Sequence, residues 1–287
     1  MRAFGRFKVG AVDAGRIRLD AGAVFGVVPR ALWSKHFTAD DQNRVTLALR
    51  SLLIVDESGS ETRRILVDTG IGDKLDAKVA EQLGLEAPEG GLRQAVRRAG
   101  VDPDEITDVI LTHLHIDHAG GATLVGAGGE IEPTFPGATY HLQRRAYKWA
   151  QHPSERDTRS FRQADYASLA SLGNLHLFDG PQDLFDGLSL ILSEGHTVGQ
   201  QLPLLDGDDD GKLLFCADII PTRAHVRLPW IMSFDLYPLT TLEEKRLLLA
   251  QGVAEDWTLF LAHDPDVAAC KLTEQEGEVI AGEAVAL

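Results

Sequence analysis

The tightest constraint on this chain is residues 111–121, where His113, His115, Asp117 and His118 fall within six positions. Residues 107–112 ahead of them are short, β-branched and apolar, which predicts a buried strand. Behind them, Ala119-Gly120-Gly121-Ala122 predicts a tight turn passing close to whatever the histidines hold. Four imidazole and carboxylate groups at a strand end are costly to desolvate unless something neutralises them. Zinc and neighbouring divalent metals take these ligands. The competing reading, a polar turn with solvated histidines, suits a lone His better than four at this spacing.

Composition narrows the classes. The 287 residues suffice for one large domain or two small ones, and 44% hydrophobic content allows a full core. A net charge of −15 argues against a nucleic-acid groove, which needs clustered Lys and Arg. Cys216 and Cys270 are isolated and form no CxxC, which fits a reducing compartment. No apolar h-region follows the N-terminus, and no apolar run approaches the ~18 residues of a membrane span. The expectation is a cytoplasmic protein without membrane contact.

Along the chain, residues 7–19 read as two short strands around a turn at 13–15. Residues 20–37 are apolar and aromatic without a clean period: a tucked loop, or a pocket wall carrying Phe25, Trp33 and Phe37. Residues 44–56 and 64–68 read as a hairpin ending at Asp68, a candidate cap for the next helix. Helices are expected over 70–84 and 91–100. A strand over 138–142 leads into a helix through 144–149, and 152–173 is partly helical. His141, His152 and His176 stand alone and read as structural or solvated. Strands follow over 188–193, 200–205 and 212–218. The turn at 206–211 opens like a calcium loop, but position 217 is Ala where that loop needs Glu, so it reads as a solvated hairpin turn. Residues 221–238 are a second irregular aromatic stretch. A helix over 241–250 has Thr240 or Thr241 as N-cap, with Glu243 or Glu244 as box partner. A strand over 257–262 ends at His263. His196, Asp218 and His263 each close an apolar strand, a placement that brings distant residues to one edge.

The order His113-x-His115-x-Asp117-His118, then His196, Asp218 and His263, resembles the two-metal signature of the metallo-β-lactamase fold hydrolases, over roughly residues 68–263. The resemblance implies an α/β (α+β) fold: an αββα sandwich of two mixed β-sheets with helices on both outer faces. Residues 6–100 and 107–255 would supply the two halves of a single domain spanning 1–287. It implies two divalent metals, zinc first, with manganese, cobalt or iron as alternatives. His113, His115 and His196 would bind one, Asp117, His118 and His263 the other, and Asp218 would bridge. Asp68 would lie under the histidines and orient them. Paired cations lower the pKa of a shared water so that hydroxide exists at neutral pH. The resemblance makes Asp218 and Asp117 the expected catalytic carboxylates, with Asp117 placed to pass a proton to the leaving group. No GxSxG nucleophile elbow is present.

Within that superfamily, the bridging Asp218 argues against lactam cleavage, and the net charge argues against tRNA processing. The short tail is unlike glyoxalase II, and no room remains for a flavin domain. The chain is most similar to the N-acyl homoserine lactonases and the related organophosphate and aryl-ester hydrolases. The expected activity is opening of a lactone or cleavage of a hydrophobic ester. Phosphotriester or aryl-ester hydrolysis is the alternative, and a metal-binding sensor or scaffold without turnover is the non-enzymatic one. Expected partners are a small hydrophobic substrate and no nucleic acid, with a homodimer allowed. Phe25, Trp33, Trp230 and Phe234 are expected as pocket walls, with His225 and Tyr237 near the substrate's oxygens. Many such lactonases carry Tyr three residues after the bridging Asp; here Pro221 stands there.

Overall fold

The computed structural model describes residues 1–287. Its first sheet begins with β1 (Arg2–Phe4), β2 (Phe7–Asp20), β3 (Arg44–Asp56), β4 (Arg63–Val67) and β5 (Asp108–Ile110). A separate small hairpin, β6 (Thr123–Val125) with β7 (Ile131–Pro133), follows, and then β8 (Thr139–Gln143) and β9 (Leu175–Phe178) complete the sheet in the order β1-β2-β3-β4-β5-β8-β9. Pairing is antiparallel through β4 and parallel from β4 to β9. The second sheet holds β10 (Gln182–Phe185), β11 (Leu188–Ser193), β12 (Gln200–Asp206), β13 (Lys212–Phe215), β14 (Thr258–Phe260), β15 (Ala269–Gln275) and β16 (Glu278–Val285), paired in that order. Only β13 and β14 are parallel there, joined by a crossover that carries the helix Pro238–Ala254.

The sandwich follows from strands that are apolar on both faces. In β3, Leu52 and Ile54 face the second sheet while Leu49, Leu53 and Val55 face the helices. In β4, Ile65 and Val67 point inward and Leu66 outward; in β5, Ile110 inward and Val109 outward. The first outer layer takes Leu92, Ala95 and Val96 from the helix Gly91–Arg98, and Ala146 and Ala150 from Arg144–Gln151. The second takes Leu248 and Leu249 from Pro238–Ala254. The architecture is the αββα sandwich of two mixed sheets.

Several local expectations change. The break expected at 13–15 is a bulge between Asp13 and Arg16 inside one continuous β2. A bulge absorbs extra residues without ending the ladder. The 70–84 helix shrinks to Ala77–Gln82, capped by Asp76. Residues 68–72 are instead bonded to the histidine loop: Thr69 N donates to His118 O at 2.7 Å and Gly121 N to Gly70 O at 3.0 Å. Gly120 and Gly121 do serve a close approach, but to this backbone rather than to a ligand. A Cβ would sit 2.2 Å from Ile71 O at Gly120 and 2.1 Å from Thr69 O at Gly121. Residues 20–37 contain two short helices, Ala21–Phe25 and Arg30–Trp33. The late helix starts at Pro238, because proline suits a first turn. Thr241 is therefore one helical turn inside, and Glu244 is not a box partner.

That helix buries Thr241, Lys245, Leu248, Leu249 and Gly252 along one face. Lys245 is fully buried, and its Nζ donates to Trp230 O at 2.7 Å and Arg227 O at 3.0 Å, pinning the 221–237 stretch to the helix. Burial drives its pKa from 10.5 down to about 7. Below pH ~7 the ammonium is charged folded and unfolded, and folding bears the full desolvation cost. Between about 7 and 10.5 the unfolded state binds more protons, so stability rises with pH. The neutral amine still has two N–H groups for two carbonyls. Denaturant melts of wild type and Lys245→Met should therefore diverge across that range, with the rise confined to wild type.

Candidate metal centre

The histidine loop leaves β5, and β11, β13 and β14 deliver His196, Asp218 and His263 beyond their ends. The structure brings all seven together from both sheets. His113, His115, His196 and Asp218 form one group of converging donor atoms, and Asp117, His118 and His263 a second. Asp218 lies between them. Its Oδ1 is 3.0 Å from His118 Nε2 and 2.9 Å from His263 Nε2, and its Oδ2 is 3.2 Å from His196 Nε2. Asp117 Oδ2 lies 3.7 Å from His263 Nε2 and 3.9 Å from His118 Nε2.

Hydrogen bonds behind the rings fix which nitrogen is free. His118 Nδ1 meets Asp68 Oδ2 at 2.7 Å, and His263 Nδ1 meets Ala48 O at 2.8 Å. Each Nδ1 therefore carries the proton, and each Nε2 presents a lone pair. Those two lone pairs face one another at 3.0 Å. His196 Nδ1 likewise meets Asp235 Oδ1 at 2.8 Å, and its Nε2 lies 3.1 Å from His115 Nδ1. Thr112 Oγ1 donates to Asp68 Oδ2 at 2.8 Å and so accepts from His113 Nδ1 at 3.0 Å. His113 Nε2 and His115 Nε2 are buried without any partner. Converging lone pairs beside carboxylates that no Lys or Arg pairs with are a donor set for cations, and the residues fit divalent metals.

Electrostatics agree. Burial holds His113 and His115 well below the usual imidazole range, as neutral donors. Burial also disfavours charge on His118, but Asp218, Asp117 and Asp68 outweigh it and raise that pKa well above the usual value. His196 and His263 are raised in the same way, chiefly by Asp218. Asp218 itself is buried, yet the facing imidazoles hold it well below the carboxylate range. The site draws positive charge, and the protons favoured on His118, His196 and His263 take the Nε2 positions that a cation would occupy.

Above the donors opens a cavity of about 330 Å³, bordered by His115, Asp117, His196, Asp218 and His263. Ile17, Leu19, Leu47, Ile71, Leu83, Ile116, Met232 and Phe234 make up its apolar lining, with Arg156, Arg159 and Ser160 also bordering it.

The family model described as the metallo-beta-lactamase superfamily matches residues 50–263. The chain belongs to the metallo-beta-lactamase superfamily. It is a metallo-hydrolase of that superfamily. An N-acyl homoserine lactonase of a Bacillus sp. is 26% identical over 57% of this chain and 62% of its own length. One from Bacillus cereus is 26% identical over 74% of this chain and 75% of its own length. A probable metal-dependent hydrolase from Staphylococcus aureus superposes with a TM-score of 0.86 at 26% identity, covering 98% of this chain and 99% of its own. AidC, a dizinc quorum-quenching lactonase, shares the fold at TM-score 0.78 and 20% identity, covering 99% and 96%. No helix is long and apolar enough to cross a membrane.

This superfamily member departs from the expected aromatic pocket. Of the six residues expected around the substrate, only Phe234 borders the cavity. Phe25 is fully buried and stacks on Trp33 at 5.2 Å and on His225 at 5.3 Å. Trp230 packs edge-on against Phe25 and His36. These rings are buried against one another and present no face to the cavity. His225 cannot reach a substrate, because its Nδ1 is 2.7 Å from Thr222 Oγ1 and its Nε2 2.9 Å from Val24 O. Tyr237 is half exposed at the start of the late helix, outside the cavity.

Sequence reasoning missed three supports. Thr112 relays Asp68 to His113. Asp235, which holds His196, is the only acid among residues 221–238, and that isolation was an available signal. Glu244 accepts from Ser193 Oγ at 2.7 Å, Glu194 N at 2.9 Å and Gly195 N at 3.3 Å, fixing the turn before His196. Nothing local in the sequence marks that clamp.

Proposed function

We propose that this metallo-hydrolase opens lactones bearing a hydrophobic acyl group. The observation that carries the reading is the aliphatic cavity opening directly onto Asp117, Asp218 and the converging imidazoles. Relatives named as N-acyl homoserine lactonases support it. His113, His115 and His196 would hold one cation, Asp117, His118 and His263 a second, with Asp218 shared. Bound there, divalent cations supply Lewis acidity and a water ionised near neutral pH.

The chain's own residues do the rest. Asp68, Asp235 and the Ala48 carbonyl hold the Nδ1 groups of His118, His196 and His263, so that each Nε2 is turned toward the cations. Asp117 reaches the cavity and is placed to carry a proton to the departing alkoxide. The aliphatic wall excludes water and holds the acyl chain, at roughly 25 cal/mol per Å² of apolar area buried. Arg159 and Ser160 border the same space, where they can donate to substrate oxygens.

A second reading, phosphotriester or aryl-ester cleavage, rests on position 221. Pro221 is buried and its carbonyl accepts from His263 N at 3.1 Å, so no phenol enters the site there. A hydrolysis screen of lactones, aryl esters and phosphotriesters on zinc-, manganese- and cobalt-loaded protein decides between them. Lactones should give the highest kcat/KM; turnover confined to phosphotriesters would overturn the first reading, and none on any class would favour a non-catalytic role. Phe234→Ala should raise KM for long-chain substrates about tenfold, ~1.4 kcal/mol, more than for short ones, with metal content unchanged. An equal effect on both would place the chain elsewhere.

A further inference from the structure

Away from the centre, the parallel pairing of β8 with β9 sets His141 directly opposite His176. Their side chains meet, with His141 Nδ1 3.2 Å from His176 Nδ1. On its other side His141 Nε2 lies 2.7 Å from Asp108 Oδ1. Asp108 is an ionised carboxylate: burial opposes its charge, but the hydrogen bonds from His141 and Thr107 outweigh this and lower its pKa. It also accepts from Thr107 Oγ1 at 2.7 Å and pairs with Arg63 at 3.3 Å, both through Oδ2. A carboxylate at Nε2 puts the proton there and leaves the His141 lone pair on Nδ1, aimed at its neighbour.

We propose that His141 and His176, backed by Asp108, form a further binding site for a divalent transition-metal cation, separate from the hydrolytic centre. The carboxylate–imidazole pair is the arrangement that orients and strengthens metal-bound histidines. The 3.2 Å separation of the two donor nitrogens is one that a shared cation can span. Imidazole donors favour copper, nickel and zinc, copper most strongly. His141 is buried and braced by Phe185 at 5.7 Å, so its ring is fixed. His176 is exposed, which leaves room for water to complete the coordination. The site shares no residue with the seven-residue cluster, so it does not depend on the proposed reaction.

The test is copper uptake by the zinc-loaded protein. Wild type should bind one Cu²⁺ equivalent more than His176→Ala and His176→Gln, with equal hydrolytic activity in all three. The electron paramagnetic resonance signal of that extra copper should carry couplings to two imidazole nitrogens. Asp108→Asn should weaken its binding about ten- to a hundredfold. Equal copper uptake by wild type and both His176 variants overturns the proposal, as does an extra equivalent whose signal lacks nitrogen couplings.

Discussion

Asp218→Ala should lower kcat/KM by about three orders of magnitude or more, ~4 kcal/mol, while the sandwich remains folded. One carboxylate reaches three imidazoles from both donor groups, at 2.9, 3.0 and 3.2 Å. Removing it leaves each group without its shared anion and three lone pairs facing across a gap. Circular dichroism should be unchanged, because β13 ends at Phe215 and its pairing with β12 and β14 does not involve this side chain. Elemental analysis of the variant should show loss of the bound metal in parallel with activity. Wild-type turnover in the variant would remove Asp218 from the mechanism.

Asp68→Ala should lower metal affinity and activity about ten- to a hundredfold. This residue touches no substrate. Its Oδ2 accepts from His118 Nδ1 and from the Thr112 hydroxyl that holds His113, and its Oδ1 accepts from Thr112 N at 2.8 Å. One side chain thus turns a ring in each donor group. Asp68 also holds a positive φ of 57°, a conformation that costs a non-glycine residue. Because this is a positioning effect, Asp68→Asn should restore part of the loss, through an amide oxygen that can still accept from one partner. Competition against a chelator measures the affinity directly; wild-type affinity in Asp68→Ala would show that the rings orient themselves.

The donors were legible in the sequence because each follows an apolar run whose end is marked. His113, His196, Asp218 and His263 lie just beyond β5, β11, β13 and β14. The pocket walls were not legible. Irregular segments such as 20–37 and 221–238 have the same apolar, aromatic look whether they face a ligand or one another. Phe25, Trp33 and Trp230 chose one another, and the wall is built from Ile17, Leu19 and Leu47 on strands read only as framework. The supports of His196 depend on pairings across the chain, Asp235 at 39 positions and Glu244 at about 50 from the groups they hold. Likewise His141 and His176 look isolated along the chain, and only the parallel register of β8 and β9 joins them.

We propose that the seven side chains form one centre for two cations. Elemental analysis of fully metal-loaded His176→Ala, in which the proposed copper site is removed, measures it most directly. Two tightly held metals per chain are predicted; no more than one would contradict the assignment of Asp218 as the carboxylate shared between two groups.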